Sequence, residues 1–132
     1  MIFFNYYQFY FLKEYLASVK CHNNETLIKL VKNREPGRAL ITVANHDSCL
    51  DDPVVLAGSL PFRFFKSELC RWSLGAKEVC HTNKFWSKFF CYGQVIPIIR
   101  GNGIYQKAMD FALQELKKGC WLHIFPGRNY NN

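Results

Sequence analysis

Six cysteines occur in the chain, yet none forms a CxxC pair and none follows a zinc-ligand spacing. That excludes the common structural zinc modules, and no metal site is expected. Several of the six, Cys21, Cys49, Cys70, Cys80, Cys91 and Cys120, stand inside apolar runs. Cysteine in such a place behaves as a small buried hydrophobe, so reduced thiols in a reducing compartment are expected. The aromatic opening "MIFFNYYQFYFLKEYLASVK" meets Lys13 and Glu14 too early to supply the roughly 20 apolar residues of a membrane span. It also lacks the basic start and cleavage site of a signal peptide, and the Arg- and Ser-rich character of a mitochondrial presequence. Internal repeats and low-complexity stretches are absent as well. No nucleic-acid recognition module is visible, and the basic groups are spread over an apolar chain, so no nucleic acid is expected as a partner.

What is present is a chain of 132 residues, enough for one domain with a real core. Hydrophobic residues make up 49% and charged residues 20%, a globular rather than a disordered balance. Aromatics reach 17%, which suggests a surface that meets lipid or a partner. The net charge of +7 is unevenly placed: residues 1–60 balance, residues 61–100 carry +5, and residues 101–132 add +2. Phe62, Phe64, Phe65, Trp72, Phe85, Trp86, Phe89, Phe90 and Tyr92 share that basic middle segment. Cations interleaved with aromatics suit an anionic membrane surface or single-stranded nucleic acid, and equally a solvated basic face over an aromatic core. Phe and Tyr favour the headgroup zone, so residues 1–20 are expected either to lie in a membrane interface or to dock on the domain as a helix.

Along the chain, "ETLIKLVKNREPG" predicts a short helix stopped by Pro36 and Gly37. "RALITVAN" predicts a strand covered on both faces. "DPVVLAGSL" predicts a helix with Asp52 as N-cap and Pro53 in its first turn, and "PFRFF" a possible strand. Around "ELCRWSLGAKEVC" and "KFWSKFFCYG" amphipathic helical pieces are expected. "QVIPIIR" predicts a strand, its Pro97 pointing to an edge or an irregularity. "GIYQKAMDFALQELKKG" predicts a helix with Ile104, Ala108, Phe111, Ala112 and Leu116 on one face and Gly119 closing its end. "CWLHIFP" predicts a last strand. Strands alternating with helices predict an α/β fold with a largely parallel sheet.

The stretch "NHDSCLDDP" directly follows the first strand. With Asp52 occupied as a cap, Asp51 is left to turn back toward His46, at a strand end where open α/β sheets place their ligand sites. A carboxylate on one ring nitrogen fixes the tautomer and stabilises the imidazolium, so the other nitrogen can take a proton from a substrate hydroxyl. That is general-base acyl transfer, although a His–Asp pair that only caps a loop has the same spacing. Ser48 and Cys49 fit a turn and a packing site, and Asp47 a solvent-facing one. Arg100 ends "QVIPIIR" before Gly101, again at a strand's carboxyl end, where a guanidinium can hold a phosphate.

Together, His46 and Asp51 with four residues between them, "GQVIPIIR", and a strand ending in Phe125-Pro126 resemble the glycerophospholipid acyltransferase family. The likeness runs from about Leu27 to Pro126. It implies a mixed, largely parallel sheet flanked by helices, with residues 1–20 as an aromatic membrane-interface segment and residues 21–132 as the acyltransferase domain. It further implies His46 as general base, Asp51 as its orienting partner, and Arg100, Gly101, Phe125, Pro126 and Gly127 as substrate-binding. The most similar members transfer acyl chains between phospholipids and lysophospholipids without coenzyme A or another cofactor, remodelling cardiolipin at mitochondrial membranes. The expected partners are therefore phospholipids, lysophospholipids and an anionic, cardiolipin-containing membrane, bound peripherally. Where the family has Phe-Pro-Glu-Gly, this chain has Phe125-Pro126-Gly127-Arg128 and ends soon after. A missing C-terminal part of the domain is expected from that. Two other readings fit the same residues: a coenzyme A-dependent lysophospholipid or glycerol-phosphate acyltransferase, and an inactive truncated member that only binds anionic membrane.

Overall fold

A computed structural model describes residues 22–46 and 69–126. The segment 1–20, the helix expected after Asp52 and the strand expected at "PFRFF" lie outside the described residues, as do Asp47, Ser48, Cys49, Asp51, Asp52 and Gly127. Within them the order is α1 (Asn24–Lys32), β1 (Leu40–Val43), β2 (Trp72–Ala76), α2 (Lys77–Cys80), α3 (Lys84–Tyr92), β3 (Val95–Ile98), α4 (Lys107–Lys117) and β4 (Trp121–Ile124). The four strands form one parallel sheet in the order β1-β4-β2-β3. An α/β fold with a parallel sheet is thus what the alternation of elements produces.

Side chains alternate across β4, and both its faces are covered. On one face Trp121 packs with Val31 of α1, Leu27, Ile28, Leu40 and Leu69. On the other, Leu122 packs with Ile96 and with Ala112 of α4, while Trp72, Leu74, Ala108, Leu116 and Ile124 close round them. The sheet is therefore the middle layer of three, with β4 its most enclosed strand. The α4 stripe holds as expected for Ala108, Ala112 and Leu116. Phe111 lies at its margin and meets Trp72 edge to face at 5.0 Å.

Helix ends follow local chemistry. Asn83 caps α3 by accepting a hydrogen bond from the Trp86 amide at 3.0 Å. Gly119 ends α4 in the left-handed region (φ +84°), while Cys120 N–H donates to the Glu115 carbonyl at 3.0 Å. A side chain on Gly119 would stand 2.6 Å from the backbone of Gly37, so two loops cross here without room for a Cβ.

Three expectations are corrected. The "ELCRWSLGAKEVC" stretch is mainly a strand: Trp72–Ala76 pairs with β3 and β4, and only Lys77–Cys80 is helical. Trp72 and Leu74 share one face, Ser73 and Gly75 the other, a period of two that a helical window conceals. A Cβ on Gly75 would collide with Val95 and Cys80, so that glycine is required by close packing. β1 is not covered on both faces, since Ile41 is 53% and Val43 62% exposed. A continuous apolar run shows that a strand is apolar, not which face is covered. Finally, α4 starts at Lys107, leaving Ile104 outside it and exposed. Pro97 does lie on an edge strand of the described sheet, as expected. Cys70, Cys80, Cys91 and Cys120 are present as thiols.

Candidate active site

In a parallel sheet every carboxyl end falls on one rim, the place where open α/β sheets bind ligands. Val43, Ala76, Ile98 and Ile124 close the four strands there. Beyond β1 the ladder continues by one bond, from Ala44 N–H to the Ile124 carbonyl at 3.2 Å. That bond holds the segment carrying His46 against the segment carrying Phe125. Their rings pack at 4.6 Å between centroids, tilted by 33°. On its other side Phe125 meets the ring of His123, nearly perpendicular, at 4.4 Å. One phenyl ring thus stands between two imidazoles, one on the rim and one in the sheet.

His123 is buried, only 3% exposed, and lies in a polar row across the sheet. Thr42 of β1 and Ser73 of β2 are its register partners on either side. Trp121 Nε1–H donates to Thr42 Oγ1 at 2.8 Å, and that oxygen lies 2.7 Å from His123 Nδ1. With the Thr42 hydroxyl donating to Nδ1, the ring proton sits on Nε2, which is buried without a hydrogen-bond partner. Burial, and then the charge of nearby Arg71, push the His123 pKa down to about 4. The ring is therefore neutral at physiological pH, a spacer and not a proton donor.

Arg100 occupies the same rim at the opposite edge. Three strand spacings of roughly 4.8 Å separate the β1 and β3 ends, so His46 and Arg100 stand roughly 14 Å apart along the rim. Arg100 Nε faces Glu78 Oε1 of α2 at 3.4 Å, both side chains largely exposed. Gly101 takes φ +78° with open space round it, so backbone conformation and not crowding selects glycine there. Gln106 braces this turn: its Oε1 accepts from Ile99 N–H at 2.9 Å and its Nε2 donates to the Gly103 carbonyl at 2.7 Å. Pro126 is exposed beside Phe125.

The structure therefore brings His46 and Phe125 together and sets Arg100 and Gly101 apart from them on the same rim. His123, Thr42, Glu78 and Gln106 were not singled out by sequence. Only His123 carried a legible signal, a lone histidine within the apolar run "CWLHIFP". Among the described residues no group of three His, Cys, Asp or Glu side chains could hold a metal ion. None of the described helices is long and apolar enough to cross a membrane.

The chain belongs to the acyltransferase family, whose model matches residues 18–131 and so includes every rim residue above. Among curated proteins it is 41% identical to the tafazzin of Drosophila melanogaster over 118 residues, 89% of this chain and 31% of that one. It is 49% identical to the taffazin of Dictyostelium discoideum over 96 residues, 72% of this chain and 33% of that one. It is also 50% identical to the N-acylphosphatidylethanolamine synthase of Arabidopsis thaliana over 105 residues, 80% of this chain and 37% of that one. The chain spans about a third of the length of these relatives. No solved structure matches it.

Proposed function

We propose that this chain carries the acyl-transfer site of a tafazzin-like phospholipid–lysophospholipid acyltransferase that works at an anionic, cardiolipin-containing mitochondrial membrane. The observation that carries the reading is the placement of His46 on the sheet's carboxyl rim, stacked on Phe125, in a chain matched by the acyltransferase family. In this reading Asp51 has the role of orienting partner for the imidazole, and His46 takes the proton of the acceptor hydroxyl as its oxygen attacks the donor's ester carbonyl. The tetrahedral intermediate collapses with loss of the donor's glycerol oxygen, which takes the proton back from His46. One ester bond breaks and one forms, so no cofactor is consumed. Arg100 and the Gly101 turn hold the phosphate, and Phe125 and Pro126, with Gly127 assigned from the family motif, serve as further substrate-binding residues.

Acyl exchange from labelled phosphatidylcholine to monolysocardiolipin, without coenzyme A, tests this directly. Transfer is expected in that mixture. Transfer only with acyl-coenzyme A would favour the coenzyme A-dependent reading, and no transfer with either donor the inactive one. The N-acylphosphatidylethanolamine synthase relative makes an amine acceptor a second reading, distinguished by adding phosphatidylethanolamine and looking for an amide product.

The Arg100–Glu78 pair gives a directional check. An exposed pair contributes about 1 kcal/mol or less, so a bidentate phosphate displaces Glu78. Arg100→Gln is expected to raise the KM for phospholipid about tenfold or more with kcat little changed, as charge-assisted hydrogen bonds of roughly 1.5–3 kcal/mol are lost. Glu78→Gln, which frees the guanidinium, is expected to lower KM.

A further inference from the structure

The carboxyl rim at the β3 edge carries more exposed apolar surface than a solvated edge requires. Crossover helices run antiparallel to the strands they link, so the first turns of α3 and α4 lie at the same rim as the end of β3. Phe85 (66% exposed) and Trp86 (43%) stand on the first turn of α3, and Val79 on α2 just before it. Ile99, Ile104 (67%) and Tyr105 (94%) stand on the loop that follows β3. These six side chains come from three segments that share the rim on which Arg100 stands.

The rings are locked to one another. Trp86 meets Phe85 and Phe89 edge to face, each at 5.5 Å, and Phe89 meets Phe90 at 5.3 Å. No residue of α3 is buried, so the cluster does not fill a core. Cations frame it: Lys77, Lys84, Lys88, Arg100 and Lys107 are all exposed here, against the carboxylates of Glu78 and Asp110. Exposed Trp, Tyr and Phe framed by lysine is the composition that settles at a lipid headgroup boundary, with rings among the acyl chains and ammonium groups on the phosphates.

We infer that this rim, with Phe85, Trp86, Ile104 and Tyr105 as its inserting side chains, is the face through which the chain docks on an anionic phospholipid bilayer. It deepens the acyl-transfer reading, because the docked face is the one on which His46 and Arg100 open. A phospholipid then slides from the bilayer onto the rim without crossing water. The excess of cations selects anionic over zwitterionic lipid, at roughly fivefold in affinity per basic residue near the surface.

Trp86 reports the contact. Of the three tryptophans, Trp121 is buried and Trp72 half-buried, leaving Trp86 as the one open to solvent. The full chain is mixed with vesicles of phosphatidylcholine alone, of phosphatidylcholine with cardiolipin, and of the same mixture with brominated acyl chains. Tight binding only to the anionic vesicles is expected, with a blue shift and quenching that vanish in Trp86→Phe. Phe85→Ser with Tyr105→Ser is expected to weaken that binding at least tenfold and leave transfer between dispersed short-chain substrates unchanged. Quenching that survives in Trp86→Phe, binding without any quenching, or a folded chain that ignores anionic vesicles would each overturn the inference. So would recovery of the chain with a protein seated on Trp86 that vesicles cannot displace. Docking through Trp86 with no acyl transfer to any acceptor would remove the enzymatic reading and leave this one standing. Transfer of dispersed lipids with Trp86 untouched by bromine would do the reverse.

Discussion

Alanine at position 46 is expected to remove acyl transfer, by roughly 10²–10⁴-fold in kcat, the usual contribution of a positioned general base. Without the imidazole the acceptor hydroxyl keeps its proton and is too weak a nucleophile toward an ester. The fold should not notice, because His46 is exposed and its described ring neighbour, Phe125, remains packed against His123. Vesicle binding should also persist, since the docking side chains lie at the other end of the rim. Asp51→Asn is expected to lower kcat in the same direction with the membrane affinity unchanged. Wild-type rates in the His46→Ala chain would end the assignment of this histidine as the base.

Acid is expected to destabilise the folded chain well before its carboxylates titrate. The pKa of His123 falls from 6.5 to about 4 on folding. Between those values the unfolded chain binds a proton that the folded chain excludes, so stability is complete above pH 6.5 and is lost as pH falls toward 4. Below pH 4 this group adds nothing further. A shift of that size corresponds to about 3 kcal/mol, a large share of the roughly 5–15 kcal/mol of an ordinary domain. Glu115 acts in a lower window: the Lys118 ammonium at 2.6 Å lowers its pKa below 4.5, so its contribution is lost only at more acid pH. Urea unfolding measured from pH 7 to pH 4 should show the loss in wild type and a flat profile in His123→Gln. A wild-type profile that is itself flat would mean that the histidine is hydrated in the sheet.

The candidate site was legible where local chemistry and chain order suffice. His46 could be placed on a rim because an apolar strand-length run ends just before it, and Arg100 because "QVIPIIR" ends with it. Gly119 could be placed at a helix end by its neighbours alone. What escaped depends on residues far apart in sequence. His123 is polar in an apolar run, and only pairing with Thr42 and Ser73 turns it into a buried neutral ring. The strand at Trp72–Ala76 was hidden because one of its faces is Ser73 and Gly75, small residues, the glycine required by the approach of Val95 and Cys80. Phe125 was singled out from the family's motif, yet its seat between two imidazoles was not legible. The separation of His46 from Arg100 across the rim follows from strand order, which no local window contains.

That strand order also governs how the protein is made. The most enclosed strand of the described sheet, β4, is the last of them to leave the ribosome, and among the described residues β1 pairs with it alone. Thr42 and its partner His123 are 81 residues apart. At a synthesis rate of about 5–20 residues per second, Ile41 and Val43 wait roughly 4–16 s beside a vacant sheet position. An unpaired apolar strand held open that long is a substrate for chaperones and a seed for misassembly, and translation speed between the two strands becomes a determinant of yield.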